Sequence, residues 1–353
     1  MRFLAIDVGA GTMDLLFYDQ EDGSQYKAVV KSPVRLLAER IESAEGDLLI
    51  DGCEMGGGPV TEVLRRRARE CSVVMSRSSA LTLNHDLEKV RSWGIRVVED
   101  SEAQAVIEKG GGAFRRVSLM DVDPERIRSI VECFGVGLEF DVVGVCGQDH
   151  GVPPAGTSHL DYRHSLFKAA LDKDPFAHSL VYGIHEIPHT LSRLRAIALS
   201  ASLLPAREVM VMDSGMAAIC GASTDPHARG KTRVVVVDVA TSHTLAAALE
   251  QGRIAGLVEY HTRDLTRERL EEIIVALADG EVDHARVLEE GGHGAYMRTA
   301  LGMDSVETIL ATGPKRGLLE GSRLPIVWGA PLGDNMMTGA WGVIQAVLRN
   351  KGR

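Results

Sequence analysis

A carboxylate at the end of a β-branched run, followed by a tight turn of small residues, can hold a cation beside exposed backbone amides. The chain has two such segments: IDVGAGTMDLLFYD from Ile6 to Asp19, and VVVVDVATSHTLAAAL from Val234 to Leu249. A strand that ends in Asp, turns and returns as a second strand presents N–H groups and a carboxylate to one point. That chemistry suits a phosphate with its magnesium, and one copy in each half of the chain suggests two lobes closing on one nucleotide.

A second group of polar residues lies in VVGVCGQDHGVPP, where Gln148, Asp149, His150 and Gly151 follow a predicted strand. His150, His243, His261 and His293 all stand beside small or polar residues at predicted strand ends or loops, the settings in which ligands are bound. Converging, they would make a transition-metal site, because imidazole suits zinc and iron. None has H-x3-H or HExxH spacing, so polar caps or direct substrate contacts are the other reading. MGGGP, from Met55 to Pro59, would either cradle an anion at a helix N-terminus or form a turn with positive φ. Gly110 to Gly112 reads as a flexible loop, and Met336 with Met337 as core.

The elements that must position these residues alternate strand and helix, which argues for an α/β architecture with covered sheets. At 353 residues and 45% hydrophobic content, the chain is long enough for two domains. A formal net charge of -10 argues against a nucleic-acid partner, and the run Arg65, Arg66, Arg67 and Arg69 reads as a solvated helix face. The five cysteines form no CxxC pair, so free buried thiols in a reducing compartment are expected. With no signal-peptide pattern and no bilayer-length apolar stretch, the expectation is a cytoplasmic protein without a membrane partner. Residues 147–188, rich in His, Pro and Gly, read as a long connection with weak periodicity.

This order of parts resembles the superfamily of acetate and sugar kinases, heat-shock chaperones and actin. The resemblance implies two ribonuclease H-like domains with ATP and a divalent metal between them. Its first phosphate turn is similar to Asp7, Gly9, Gly11, Thr12 and Asp14, and its connecting helix to Asp213–Ala222, where Gly215, Ala217 and Ala218 would let two helices approach. Its second phosphate turn is similar to Asp238–Thr244, and its adenosine-side turn to Thr312, Gly313 and Pro314. The chain departs from the pattern at Ala240 and Ser242, where glycine is usual and its absence makes unusual dihedrals costlier, and at Pro314. Within the superfamily it looks most like a branch whose label relates it to the pyruvate formate-lyase activating enzyme. The CxxxCxxC triplet of such radical enzymes is absent from the sequence. The QDHG segment resembles the polyol-binding segment of sugar kinases, and Asp161 with Arg163 resembles their downstream Asp and Arg, the Asp being a general base. Some carbamoyl-transferring members carry a transition metal.

Together these readings give an α/β chain of two ribonuclease H-like domains, residues 1–212 and 213–353, acting as an ATP-dependent phosphotransferase or ATPase. Asp7 would hold magnesium through water. Gly9, Ala10, Gly11 and Thr12 would bracket the phosphates with Thr241, Ser242, His243 and Thr244, and Asp213 or Asp238 would orient metal or attacking water. Gln148, Asp149, His150 and Gly151 would face a small-molecule acceptor, favoured over a protein partner, with Asp149 as a catalytic carboxylate; His150, His261 and His293 are the candidate transition-metal ligands. The rival readings are a nucleotide-dependent switch that activates a partner protein, and a fold relative that has lost ATP and uses a histidine-rich cleft.

Overall fold

The computed structural model describes residues 1–108, 114–154 and 156–352, so the loop expected at Gly110–Gly112 lies outside the described residues. Its strands are, in chain order, β1 (Arg2–Val8), β2 (Thr12–Asp19), β3 (Gln25–Lys31), β4 (Asp47–Gly52), β5 (Val73–Ser76), β6 (Arg96–Val98), β7 (Phe114–Leu119), β8 (Phe140–Gly147), β9 (Val181–Gly183) and β10 (Ala206–Met212). The second half adds β11 (Arg233–Val239), β12 (His243–Glu250), β13 (Arg253–His261), β14 (Gly294–Met297), β15 (Thr308–Thr312) and β16 (Ile326–Trp328).

Two six-stranded sheets repeat one plan. The first runs β3-β2-β1-β8-β10-β9 and the second β14-β13-β12-β11-β15-β16. In each, the first strand pairs antiparallel with the second and parallel with the next main strand, β1 with β8 and β11 with β15. This is the ribonuclease H-like arrangement, present twice, as in actin-like ATPases. The first strand of each sheet is apolar on both faces because both faces are covered. Phe3 and Ala5 join one core while Leu4, Ile6 and Val8 join another; Val234 and Val236 likewise part from Val235, Val237 and Val239. A third, all-parallel sheet, β6-β5-β4-β7, has its own core and interrupts the first lobe after β3.

The core shared by the lobes contains the inner faces of both large sheets and two helices, Ser214–Ala222 and Thr338–Asn350. Their backbones nearly touch: a Cβ at Gly342 would lie 1.7 Å from the Ala217 carbonyl oxygen, and one at Gly221 would lie 2.0 Å from that of Thr338. The close approach therefore depends on Gly221 and Gly342. Gly215 packs instead against Leu245. The closing helix also packs on the first sheet, where a Cβ on Gly144 would lie 2.4 Å from Val343, so a division at residue 212 separates strands but not cores.

The connection expected over residues 147–188 contains a fifteen-residue helix, His159–Lys173. Its buried positions are Arg163, His164, Phe167 and Leu171. Two of the four are polar, which hides the apolar stripe by which an amphipathic helix is recognised.

Candidate active site

The two acidic turns are built alike. In the first, the Gly9 amide donates to the Thr12 carbonyl at 3.0 Å; in the second, the Ala240 amide donates to the His243 carbonyl at 3.0 Å. Each turn is anchored by the hydroxyl residue that follows its third strand. Ser32 donates from Oγ to Gly9 O at 2.6 Å and from its amide to Gly11 O at 3.2 Å. Thr262 donates from Oγ1 to Ala240 O at 2.8 Å and from its amide to Ser242 O at 2.9 Å. Sequence reading missed both anchors, although a hydroxyl directly after a third strand occurs in each half.

None of Gly9, Ala10, Gly11, Ala240, Thr241 or Ser242 has positive φ, so the missing glycines of the second turn carry no dihedral cost. Gly11 is required for a different reason: a Cβ there would stand 2.9 Å from Thr241 Oγ1. The turns thus meet across a cleft of about 690 Å³, within the usual range for small-molecule sites.

Asp7, Asp14 and Asp238 line this cleft without a basic partner in hydrogen-bond reach. Burial, and then the charge of Asp7, raise Asp14 to about 8 and Asp238 to about 7. Burial is also the main cause for Asp7, raised to about 6 although the Cys146 thiol bonds it. Asp14 Oδ1 is buried without a hydrogen-bond partner. Clustered carboxylates of this kind suit a divalent cation, whose charge replaces what burial and mutual repulsion remove. Gly339 leaves room for Asp7, since a Cβ there would come within 2.0 Å of Oδ2.

Several expected site residues have other work. Asp213 caps the helix Ser214–Ala222 through the Gly215 amide at 2.9 Å and accepts two hydrogen bonds from Arg163, at 2.5 and 3.2 Å. Its carboxylate is consumed by these contacts, and it does not line the cleft. Asp149 lies at the cleft lining, but its two oxygens accept from the amides of Gly151 at 2.8 Å and Leu194 at 2.9 Å, so its carboxylate fixes the loop. Asp161 is outside the cleft lining and pairs with His284 at 2.8 Å. Thr244 turns into the second lobe against Thr262, and Thr312 bonds Thr338 in the core, leaving Gly313 and Pro314 as the parts of that turn that reach the cleft. Met337 is core as expected, but Met336 lines the cleft.

On the other side of the cleft stand Gln148, His150, Gly151 and the open N-terminus of the helix Gly58–Arg67. Gly56 and Gly57 have no positive φ. They admit close neighbours, a Cβ on Gly56 falling 2.7 Å from the Arg193 guanidinium and one on Gly57 falling 2.5 Å from Thr82 O. His85, unnoticed in the sequence, bonds Glu54 here, and that hydrogen bond raises its pKa. Gln148 is tied across the cleft, donating to Glu259 at 2.6 Å. Arg163 reaches the same carboxylate at 3.3 Å, linking it to Asp213. Burial works against the charge of Glu259, but Arg163 and then His164 hold its carboxyl well below the usual range. Burial lowers His150 and His293 to about 3 and His243 to about 4. The histidines that draw closest are His243, His261 and His293; His150 stands beside them.

Among solved structures, the chain is similar to a Bacteroides thetaiotaomicron protein with actin-like ATPase fold, at 9% identity and TM-score 0.36 over 99% of this chain and 95% of that one. A ROK hexokinase from Thermus thermophilus aligns over all of both chains at 13% identity and TM-score 0.32. The activator of 2-hydroxyisocaproyl-CoA dehydratase from Clostridium difficile, solved with bound ADPNP, aligns over 100% of this chain and 98% of that one at 10% identity and TM-score 0.34. No curated protein matches the chain. The sequence model of the family described as "Putative pyruvate format-lyase activating enzyme (DUF1786)" matches residues 55–318, well over half of the sequence, and the chain belongs to that family.

Proposed function

We propose that the cleft binds ATP with magnesium and that the protein is an ATP-dependent phosphotransferase acting on a small polar acceptor. The observation that carries this reading is the meeting of two identically bonded turns, Gly11 against Thr241, over the buried carboxylates of Asp7, Asp14 and Asp238. Asp7 and Asp238 would hold magnesium, Asp7 through water. The cation supplies charge that neutralises the phosphates and steadies the developing negative charge. The turns 9–12 and 240–243 present backbone amides to the phosphates, and Gly313, Pro314 and Met336 line the nucleotide side.

The acceptor side falls to His150, to the His85–Glu54 pair and to the amides at the start of the helix Gly58–Arg67. A small acceptor fits better than a protein partner, because the large exposed apolar side chains, such as Leu199, Leu203 and Val29, do not line the cleft. The radical chemistry in the family's description does not fit these residues. The five cysteines are unpaired, Cys146 and Cys220 are buried while Cys133 is exposed, and no three of them have the triplet spacing that holds an iron–sulfur cluster. The histidines offer a softer ligand set, suited to a transition metal.

Calorimetric titration with ATP and ADP, each with and without magnesium, tests the reading. Saturable, magnesium-dependent binding is expected; no binding of either nucleotide at millimolar concentration overturns it.

A further inference from the structure

A hairpin and one returning segment bring three imidazoles together. β12 and β13 pair so that His243 stands opposite His261, and the His293 amide donates to the Glu259 carbonyl at 2.8 Å where the chain enters β14. The ring centroids are 4.9, 4.5 and 4.3 Å apart, and one nitrogen from each ring lies within 4.8 Å of the others. The Nε2 atoms of His261 and His293 are separated by 3.1 Å. Two nitrogens bound at the usual zinc distance to one tetrahedral ion lie about 3.4 Å apart.

A hydrogen bond between two imidazoles would explain that single spacing, but it leaves the other nitrogen of His293 unexplained. His293 is 1% exposed, and its Nδ1 has no hydrogen-bond partner. The nearest carboxylate oxygen, Glu259 Oε1, is 3.6 Å away. The ring therefore turns one nitrogen toward a buried carboxylate and the other toward His261, the orientation in which a carboxylate fixes a metal-binding histidine. Glu259 is itself fixed by Gln148 and Arg163.

We propose that His243, His261 and His293 form a three-imidazole site for a divalent transition cation of the zinc or iron(II) class, with Glu259 orienting His293 and the fourth coordination position open to the cleft. Nitrogen donors select such an ion over magnesium, which takes oxygen. Three protein ligands with an open position are the pattern of catalytic sites, in contrast to closed structural ones. His243 and His150 line the cleft beside the cluster, with the His150 ring 5.8 Å from that of His293. The open position would accept a carboxylate or hydroxyl oxygen of the acceptor, on the cleft side where His150 stands. This last step rests on the phosphotransferase reading; the metal site does not.

The test uses the full chain expressed without a histidine tag, stripped with chelator and titrated with cobalt(II) as a spectroscopic probe, then with zinc. About one cobalt per chain, with the intense visible bands of a four-coordinate ion and displacement by zinc, is expected. His261→Gln, at a half-buried position, and His293→Gln should each weaken binding at least 100-fold. Glu259→Gln should weaken it about 10- to 100-fold while keeping the bands. Melting curves of the metal-free variants show which are folded, and the judgement rests on those. Asp7→Asn should bind cobalt as the parent does. A parent that binds cobalt but no nucleotide supports this site while removing the nucleotide reading. Absence of four-coordinate cobalt bands in the parent, or cobalt affinity unchanged in folded His261→Gln, overturns the proposal.

Discussion

The two acidic turns share a hydrogen-bond scheme down to the hydroxyl that anchors each, Ser32 or Thr262, and differ in what the neighbouring register positions carry. Opposite Asp7 stands Asp14, whereas opposite Asp238 stands Leu245. The position that ends the turn is Thr12 in one lobe and His243 in the other, and His243 faces His261 across the hairpin. One backbone design thus gives the first lobe a pair of carboxylates, which Asp238 of the second lobe joins to make a carboxylate end, and gives the second lobe an imidazole end. The turn supplies geometry, and the ligand chemistry comes from a few side chains that the geometry tolerates.

Arg163 joins the two ends, and its loss is the largest effect expected. Its guanidinium is buried between Asp213, which caps the helix Ser214–Ala222, and Glu259 beside the histidines, and Arg163→Met leaves both carboxylates without their cation. Removing one partner of a buried pair costs about 3–5 kcal/mol. Urea unfolding at neutral pH should show a loss of that size. A loss below about 1 kcal/mol, the worth of an exposed pair, would mean that the packed glycine helices alone hold the two ends together.

Asp7→Ala separates the ends by function. No backbone amide among the described residues donates to Asp7, so a capping role is not available to it, and burial disfavours its charge. Magnesium-dependent nucleotide affinity should fall at least about 100-fold, or 2.7 kcal/mol, with cobalt binding at the histidines unchanged. Calorimetry on the folded variant decides; nucleotide affinity equal to the parent's would reassign the carboxylate end to structure.

The sequence showed the first turn's carboxylates as one local unit and named the histidines of the imidazole end, but not which of them meet, for reasons that lie in strand register. The first turn could be read directly because Asp7, Gly9, Gly11 and Asp14 sit within one hairpin. In the second lobe, the turn at Gln251 and Gly252, with φ 52 and 76, pairs Glu250 with Arg253 and, continued without interruption, would set His243 opposite Tyr260. A bulge between Ala248 and Leu249 shifts the register by one residue and brings His261 to that place. His293 stands out locally in GGHG, but nothing in the sequence sets that segment beside this hairpin. Of the four histidines the sequence set together, it put His150, His261 and His293 forward as ligands, whereas the three that meet are His243, His261 and His293. Asp149 and Asp213 show a different limit: an Asp after a strand looks the same in sequence whether it ligates a cation or, as both do, accepts backbone amides.

The two ends should also respond to pH with opposite signs. Asp7, Asp238 and Asp14 titrate near 6, 7 and 8 in the folded protein against an ordinary 3.8. Between about pH 4 and 8 the folded state therefore holds more protons than the unfolded one, and this contribution to stability falls as pH rises. His150, His293 and His243 titrate near 3, 3 and 4 against 6.5. Their contribution is lost as pH falls from 6.5 toward 3 and is complete above 6.5. The terms oppose each other up to pH 6.5, and above it only the carboxylates act. With chelator present, the melting temperature should decline from pH 6.5 to 8. Magnesium with nucleotide should remove the decline, and Asp14→Asn should raise stability by about 1 kcal/mol at pH 7.5, since it replaces a buried carboxyl that has one oxygen without a partner and lies next to Asp7. A melting temperature that does not fall over that interval in chelator would show that the carboxylates are already ionised below pH 6.5 in the empty cleft.

The smallest effect, and the one that sharpens the comparison most, is expected from His150→Ala. His150 lines the cleft between the two ends, yet the group of histidines close enough to share an ion excludes it. Its substitution should leave nucleotide affinity within about threefold, because well-separated sites with no shared partner act nearly independently. It should also leave cobalt bound, since all three proposed ligands and Glu259 remain. Only acceptor binding and turnover should fall. Nucleotide affinity, cobalt stoichiometry and melting temperature measured on this one variant divide the outcomes. Loss of cobalt would bring His150 into the metal's own coordination and move the open position elsewhere, whereas loss of nucleotide affinity would mean that the carboxylate end reaches across the whole cleft and that the two ends form a single site.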